Sequence, residues 1–274
     1  MVTIPQLLAK KGREKITALT CYDASFARLL DTTALDILLV GDSLGMVIQG
    51  HDTTIPVTID DIIYHTRCVT RVAKRAHVVA DMPFMSYQTS IADALRNAGQ
   101  LMKVGRAESV KVEGGAELAP IVAAMTAAGI PVMAHIGMRP QAIHLTGGYK
   151  VQGKTADQGG ALLAAARAIE TAGAYALVLE GVTIEVARDI TAALTIPTIG
   201  ICAGPHCDGQ ILVLYDLLGM NPDFAPRFMK RYAELAPTIR DAVAQYTHEV
   251  RAGEYPTEAH AHHQVVARSL ARAK

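Results

Sequence analysis

A complete strand–helix–strand unit lies in residues 37–83, ILLVGDSLGMVIQGHDTTIPVTIDDIIYHTRCVTRVAKRAHVVADMP. Its first run, Ile37–Ser43, and its last run, His77–Pro83, are mostly apolar, which is typical of parallel strands buried on both faces. Between them, Thr58–Lys74 has helical periodicity and begins with a capping threonine and an acidic first turn. The unit therefore predicts two parallel strands joined by a helix.

The same alternation continues along most of the chain. Strand-like runs occupy Ile16–Tyr22, Ile37–Ser43, His77–Pro83, Ser109–Gly115, Val132–Met138, Ala176–Gly181, Thr198–Gly204 and Leu212–Gly219. Helical runs include Thr58–Lys74, Ser90–Val104, Ala116–Ala128, Gln158–Ala172 and Ile184–Leu194. We therefore predict an α/β fold, a single (β/α)8 TIM barrel, in one catalytic domain over residues 1–274 with a C-terminal helical extension from about Pro226 to Arg251. A doubly wound open sheet is the alternative, but it would have fewer strands, and no GxGxxG motif opens a helix.

Composition excludes several classes of protein. The 274 residues contain 26 Lys+Arg and 26 Asp+Glu, so the net charge is zero and gives no sign of nucleic-acid or anionic-membrane binding. The first residues lack the apolar core of a signal peptide, and no run is long enough to span a bilayer. The four cysteines contain no CxxC pair, which favours free thiols in a reducing compartment. We therefore expect a soluble cytoplasmic protein.

Ionisable residues end five successive predicted strands. They are Asp42, Asp81, Lys111 with Glu113, His135, and Glu180. In (β/α)8 barrels the active site lies at this end of the strands, so these side chains are expected at one mouth. Asp42, Asp81 and Glu113 would repel one another unless a cation lay among them, and oxygen ligands select a hard ion such as Mg²⁺. Each carboxylate taken alone would more often be a helix cap or an ion-pair partner.

Three of these side chains allow two interpretations each. Lys111 lies two residues before Glu113, on the same side of the strand, where it can neutralise an anionic substrate or form a structural salt bridge. His135 is surrounded by apolar residues and is interpreted as a hydrogen-bonded core histidine. Glu180 follows the apolar run ALVL, where burial would raise its pKa and suit it to proton abstraction, or it caps the following helix.

Residues Gly148–Thr155 match the Walker pattern GxxxxGK[ST]. A P-loop must join a strand directly to a helix, whereas RPQAIHLTG separates Gly148 from the preceding predicted strand. We interpret the match as accidental and the segment as a mobile lid over the barrel mouth.

Several motifs together resemble one enzyme family. They are VGDSLGMVIQGHDTTIPVT (40–58), ADMPFMSY (80–87), VKVEGG (110–115), AHIGMRPQ (134–141), GGYKVQG (147–153) and DGQILVLYDLLGM (208–220). In this order they closely resemble the ketopantoate hydroxymethyltransferase family, and the likeness extends from about residue 16 to about residue 255. The Walker-like octapeptide falls inside the GGYKVQG loop of that family.

This resemblance implies a barrel of the phosphoenolpyruvate/pyruvate type with one Mg²⁺ per subunit. The implied reaction transfers a hydroxymethyl group from 5,10-methylenetetrahydrofolate to 3-methyl-2-oxobutanoate, giving ketopantoate in pantothenate biosynthesis. By motif, substrate binding is assigned to Asp42, Ser43, Asp81 and Lys111, metal ligation to Asp42, Asp81 and Glu113, and proton abstraction to Glu180. The family also forms large homo-oligomers, typically decamers.

The sequence departs from the family pattern at a few positions. Thr183 stands where a proline is more usual, Cys202 stands where a glycine is usual, and Pro205–Cys207 is unusual. A thiol at Cys202 would narrow the mouth at the seventh strand. Other functions stay open at this point: another Mg²⁺-dependent barrel enzyme such as a carbon–carbon lyase, a nucleotide-binding protein, or a catalytically silent scaffold.

Overall fold

The apolar runs form a closed parallel barrel, in which each strand pairs with the next along the chain and the eighth pairs with the first. The computed structural model describes residues 1–222 and 229–263. The strands are β1 (Ile16–Thr20), β2 (Ile37–Val40), β3 (His77–Asp81), β4 (Ser109–Glu113), β5 (Val132–Gly137), β6 (Ala176–Glu180), β7 (Thr198–Ile201) and β8 (Gly209–Leu212). The predicted (β/α)8 barrel is confirmed, and the first seven strands are one to three residues shorter than their apolar runs.

The eighth strand was predicted in the wrong place. It covers Gly209–Leu212 instead of Leu212–Gly219, and Leu214–Leu217 forms a short helix. An apolar run of this length is compatible with a buried strand or a buried helical turn, so periodicity alone does not separate them. The register is fixed by Gly209, where an added Cβ would lie 2.5 Å from the backbone oxygen of Ile16 on β1. Residues 202–208, all described, contain no helix, so β7 leads directly to β8.

Helices surround the barrel close to the predicted positions. They are α1 (Ile4–Ala9), α2 (Ala24–Asp31), α3 (Leu44–Val47), α4 (Ile59–Thr70), α5 (Ile91–Lys103), α6 (Ala119–Ala127), α7 (Ile143–Thr146), α8 (Ala156–Thr171), α9 (Ile184–Ala193), α10 (Leu214–Leu217) and α11 (Leu235–Ala252), with 3-10 turns at Ala116–Leu118, Pro140–Ala142 and Glu258–His260. The predicted caps are present, because Thr58 and Ser90 accept hydrogen bonds from the backbone of Asp61 and Asp93.

A helix occupies Leu235–Ala252 within the predicted C-terminal extension, residues 229–234 are not helical, and the predicted start near Pro226 lies outside the described residues. No residue of α11 is buried, so within this chain the helix adds little to the core. That all 274 residues form one domain stays a prediction. Within the described ranges, no helix has both the length and the apolar character needed to cross a membrane.

Alternation along the strands separates two apolar layers. Val79, Met133 and Val178 belong to the cluster inside the barrel, and their neighbours at odd spacing pack outward against the helices. Helix α1 covers the amino-terminal end of this interior with the fully buried Leu7, a burial that contributes about 1.5–3 kcal/mol. Lys10 and Lys11 bind Asp36 and Asp208 at 2.7 Å on the same side. The interior is therefore closed at this end, and the opposite end holds the polar groups.

Candidate active site

Strand parity directs the ionisable residues into the barrel at its carboxyl end. Asp81, His135 and Glu180 lie two residues beyond Val79, Met133 and Val178, which belong to the interior cluster. The same alternation places Lys111 and Glu113 on one side of β4. Asp42 follows β2 by two residues and is 5% exposed. The structure thus brings together all six residues that the strand-end argument selected.

Asp81 and Lys111 form a buried ion pair. They are direct neighbours across β3 and β4, and Nζ of Lys111 lies 2.8 Å from each carboxylate oxygen of Asp81. Burial disfavours the charged lysine, but the carboxylates of Asp81, Glu113 and Asp42 outweigh that effect and raise the pKa of Lys111. Of the two interpretations of Lys111, the salt bridge is present, and it leaves the ammonium at the mouth of the barrel.

The surroundings of Asp42 disfavour its charged form. Its backbone N–H donates to Oδ2 of Asp81 at 3.3 Å, so the carboxylate of Asp81 lies against the main chain of Asp42. Burial, and then the charge of Asp81, raise the pKa of Asp42 well above its ordinary value. Burial also raises the pKa of Asp81, although Lys111 opposes this shift. An additional cation would stabilise the charged forms of Asp42 and Asp81.

His135 lies between two glutamates. Its Nδ1 is 3.3 Å from Oε2 of Glu113 and its Nε2 is 3.3 Å from Oε2 of Glu180. Burial disfavours the charge on Glu113, yet the contact with His135 outweighs it and lowers the pKa of Glu113. Burial raises the pKa of Glu180, and His135 opposes that shift. The interpretation of His135 as a hydrogen-bonded core histidine is right about burial and wrong about hydrogen bonding, because neither ring nitrogen forms a hydrogen bond with a described residue and each faces a site carboxylate.

Glu180 is the more accessible of the two glutamates. Its side chain is 18% exposed, against 2% for Glu113 and for His135. A carboxylate with a raised pKa that still reaches the mouth has the properties of a general base. The alternative role as a helix cap is not observed, because Thr183 is the N-cap residue of α9.

The sequence reasoning missed two buried polar residues, Gln141 and Tyr87. The side-chain amide of Gln141 donates to Oδ2 of Asp42 at 2.9 Å, and its backbone N–H donates to Oε1 of Glu113 at 2.7 Å. The hydroxyl of Tyr87 accepts a hydrogen bond from the backbone N–H of Glu113 at 3.1 Å and lies 2.8 Å from Oε1 of Gln141. Both residues end motifs already noted, but an uncharged polar side chain in a loop has no sequence feature that distinguishes a buried site residue from a solvent-exposed one.

Ser43 lies at the same end of the barrel. Its hydroxyl is 2.8 Å from the hydroxyl of the buried Tyr22. Close packing is evident at Gly41, where an added Cβ would lie 3.0 Å from Oγ of Ser43 and 3.7 Å from Oδ2 of Asp81. A side chain at position 41 would therefore crowd the group that holds Ser43 and Asp81. The role of Ser43 in substrate binding stays a prediction.

The Walker-like segment does not form a P-loop. It follows the short helix α7 instead of a strand, and Thr155 caps α8 by accepting from the backbone of Gln158. The interpretation of the match as accidental is therefore confirmed. The loop instead contacts other parts of the mouth, since the hydroxyl of Tyr149 lies 3.7 Å from Sδ of Met46 and Gln152 pairs with Val182.

Cys202 adopts a left-handed backbone conformation, with φ of 52°. This region is strained for residues other than glycine, so a glycine would fit this position better than a cysteine. Partial burial, and then the charge of Glu180, raise the pKa of the Cys202 thiol, so this residue lies near the acidic group. The seventh strand therefore ends beside Glu180, and the narrowing of the mouth by Cys202 stays a prediction.

The carboxylates of the site have the chemistry that a hard divalent cation requires. In residues 1–222 and 229–263, no three His, Cys, Asp or Glu side chains are arranged as a ready-made metal centre. Both oxygens of Glu113 contact other groups, whereas Oδ1 of Asp42 accepts no hydrogen bond from a described residue. Two carboxylates completed by water or substrate oxygens suffice for Mg²⁺. The excess of carboxylates over the single lysine also fits a cation, and metal ligation by Asp42, Asp81 and Glu113 stays a prediction.

These features define the class of the protein: a (β/α)8 barrel with a carboxylate-rich site at the carboxyl ends of its strands. A solved structure of 2,3-dimethylmalate lyase, a PEP mutase/isocitrate lyase superfamily member, is similar with a TM-score of 0.60 and 18% identity over 96% of this chain and 93% of that one. Phosphonopyruvate hydrolase in complex with oxalate and Mg²⁺ is similar with a TM-score of 0.60 and 15% identity over 96% and 92%. At these identities the likeness concerns the fold.

Sequence comparison identifies the family. The model for ketopantoate hydroxymethyltransferase matches residues 1–258. A 3-methyl-2-oxobutanoate hydroxymethyltransferase from Geobacter sulfurreducens is 56% identical over 251 residues, 92% of this chain and 94% of the relative. One from Pelobacter propionicus is 53% identical over 260 residues, 94% and 96%. The chain belongs to the ketopantoate hydroxymethyltransferase family.

Proposed function

We propose that this protein transfers a hydroxymethyl group from 5,10-methylenetetrahydrofolate to 3-methyl-2-oxobutanoate, which gives ketopantoate for pantothenate biosynthesis. Its membership of the family and the printed names of its relatives support this reaction. The structural observation that carries the proposal is the arrangement of Glu180, His135 and Glu113 beside the Asp42–Asp81 pair. This arrangement places a general base next to a pair of carboxylates suited to a cation, at the same mouth of the barrel.

The oxo acid would bind at the inner part of the mouth. Lys111 is buried and remains charged, so it can balance the substrate carboxylate while it keeps its contact with Asp81. Ser43 offers a hydroxyl to a substrate oxygen, and a hydrogen bond with the hydroxyl of Tyr22 orients it. Asp42 and Asp81 complete the substrate site on the neighbouring strands.

Asp42 and Asp81, with Glu113 beside them, would hold one Mg²⁺ per subunit. When bound, this ion would supply positive charge that stabilises the enolate of the oxo acid. The pKa of Asp42 is raised by its buried surroundings and by Asp81, and the ion would relieve this unfavourable charge.

Glu180 would remove the proton from C3 of the oxo acid. Removal of a weakly acidic proton needs a base whose pKa lies closer to neutral pH than that of an ordinary glutamate, and burial shifts Glu180 in this direction. His135, whose Nε2 lies 3.3 Å from Oε2 of Glu180, limits the shift. The segment Gly147–Gly153 would close over the mouth and exclude water during the transfer.

The reaction is tested by incubating the protein with both substrates and Mg²⁺, with and without EDTA, and measuring ketopantoate. Formation of ketopantoate that requires both the folate and the divalent cation is expected. Consumption of the oxo acid without folate would instead indicate a carbon–carbon lyase, and no reaction of any kind would indicate a scaffold.

We also propose that the protein acts in the cytoplasm as a homo-oligomer, a decamer by family resemblance. Helix α11 supports an assembly, because four apolar side chains spaced along it are between 44% and 57% exposed: Ile239, Val243, Tyr246 and Val250. Exposed apolar stripes of this kind mark contact surfaces. Light scattering coupled to size-exclusion chromatography would give the mass of ten 29.2 kDa chains, and a monomeric mass would contradict the proposal.

A further inference from the structure

The buried glutamine Gln141 connects two carboxylates that come from different strands. Its side-chain Nε2 donates to Oδ2 of Asp42 at 2.9 Å, while its backbone N–H donates to Oε1 of Glu113 at 2.7 Å. Asp42 follows β2, and Glu113 is the last residue of β4. Gln141 itself is 5% exposed and lies in the Pro140–Ala142 turn that follows β5.

We propose that Gln141 is a positioning residue for the divalent-cation site, which acts by holding Asp42 with one carboxylate oxygen free for the ion. This inference rests on the proposed function, in which Asp42 is a metal ligand. It assigns a task to a residue that carries no charge and would not itself bind the metal.

The hydrogen bonds of Gln141 fix the orientation of its amide. Nε2 also donates to the backbone oxygen of Met82 at 3.0 Å, and Oε1 lies 2.8 Å from the hydroxyl of Tyr87 and 3.2 Å from the amide nitrogen of Gln88. The opposite orientation would place the amide oxygen against two acceptors, Asp42 and Met82, so it is excluded. Gln141 therefore presents a fixed donor to Asp42.

Asp42 depends on this donor more than the other site carboxylates depend on theirs. Asp81 receives hydrogen bonds from Lys111 at both carboxylate oxygens, and Glu113 has His135 beside it. Among the described residues, Gln141 is the side chain that donates to Asp42. The bond occupies Oδ2 and leaves Oδ1 without a protein donor, so one oxygen is anchored and the other is available. Groups that orient metal ligands in this way typically account for about 10- to 100-fold in metal affinity.

The test uses Gln141→Met, which keeps the length of the side chain, removes the donor and preserves the backbone N–H that reaches Glu113. Mn²⁺ binding to the full-length protein is titrated by electron paramagnetic resonance in the absence of substrates. We expect affinity to fall by about tenfold or more. Ketopantoate formation should fall at low Mg²⁺ and recover at saturating Mg²⁺, with an unchanged KM for the folate. Gln245→Met is the matched control, since the exposed Gln245 amide contacts Glu249 on α11.

Tyr87→Phe provides a second variant, which removes the hydroxyl that contacts Oε1 and leaves the donor in place. It should weaken Mn²⁺ binding less than Gln141→Met does. Unchanged Mn²⁺ affinity in a folded Gln141→Met protein, or an activity loss that saturating Mg²⁺ does not restore, would overturn the proposal. If Gln141→Met fails to fold, unchanged affinity in Tyr87→Phe would overturn it instead. Mn²⁺ binding without ketopantoate formation would refute the proposed reaction and leave this inference standing.

Discussion

The imidazole of His135 touches the carboxylates of Glu113 and Glu180 with its two opposite nitrogens, each contact measuring 3.3 Å. Glu113 lies inward and Glu180 lies toward the mouth, so one ring connects the part of the site assigned to the cation with the part assigned to the base. The two glutamates respond in opposite directions, since the pKa of Glu113 is lowered and that of Glu180 is raised. The difference in their pKa shifts separates their proposed roles.

Replacing Glu180 by Gln should abolish exchange of the C3 proton of 3-methyl-2-oxobutanoate. The amide has nearly the same shape as the carboxylate but cannot accept the proton, so Mg²⁺-dependent binding of the oxo acid should persist. Proton exchange is followed by nuclear magnetic resonance in deuterated buffer without folate, and binding is measured by calorimetry. Exchange that continues in Glu180→Gln would remove Glu180 from the role of base.

Replacing His135 by Asn should shift the acid limb of the kcat/KM profile to higher pH. Glu180 must be ionised to act as a base, so activity falls as the pH decreases through its pKa. His135 opposes the rise of that pKa, and its removal therefore raises the pKa further. The profile of Glu180→Asp serves as the comparison, because it keeps the titrating group and His135. An acid limb that stays in place in His135→Asn would contradict the electrostatic role of the ring.

Much of this site could be predicted from sequence because the period of a strand determines the side on which each residue lies. Asp81, Lys111 and Glu180 were located correctly once the strands were recognised. The partners of His135 could not be predicted, because AHIGM has the pattern of any buried strand and the glutamates belong to other strands. Gln141 was missed for a related reason, since its position depends on the turn after β5.

The eighth strand shows another limit of pattern reading. Its apolar run continues past the strand into α10, and the register was set by close approach of Gly209 to β1, a contact that is not local in sequence. Local periodicity thus identifies the element type less well for short apolar runs than for long helices such as α8.

Removing the charge of Lys111 should destabilise the protein. Lys111→Met leaves Asp81 buried without its partner, and the side chains are 7% and 2% exposed, so the free energy of unfolding should fall by about 3–5 kcal/mol. The measurement is urea denaturation at neutral pH in EDTA. The loss should shrink in acid, because Asp81 then takes up a proton and no unpaired charge remains.

The double variant Lys111→Met/Asp81→Asn isolates the charge from the packing. It should recover much of the lost stability, since neither partner is then charged. Equal instability of the single and double variants would show that packing of the lysine side chain, and not the unpaired carboxylate, determines the effect.

Replacing Cys202 by Gly should stabilise the protein by up to about 1 kcal/mol. The left-handed conformation disfavours a residue with a Cβ by about 1–2 kcal/mol, and a glycine would relieve this strain. The larger entropy of the unfolded chain with glycine offsets part of the gain in stability. Cys202→Ala is the matched control: it removes the thiol but keeps the Cβ, so it should leave stability almost unchanged. Thermal unfolding of the three proteins measures the difference. If the thiol also narrows the mouth near Glu180, both variants should lower the KM for the oxo acid. Only the glycine variant should raise the melting temperature. A gain in stability shared by the alanine variant would show that the thiol, and not the backbone, is the source of strain.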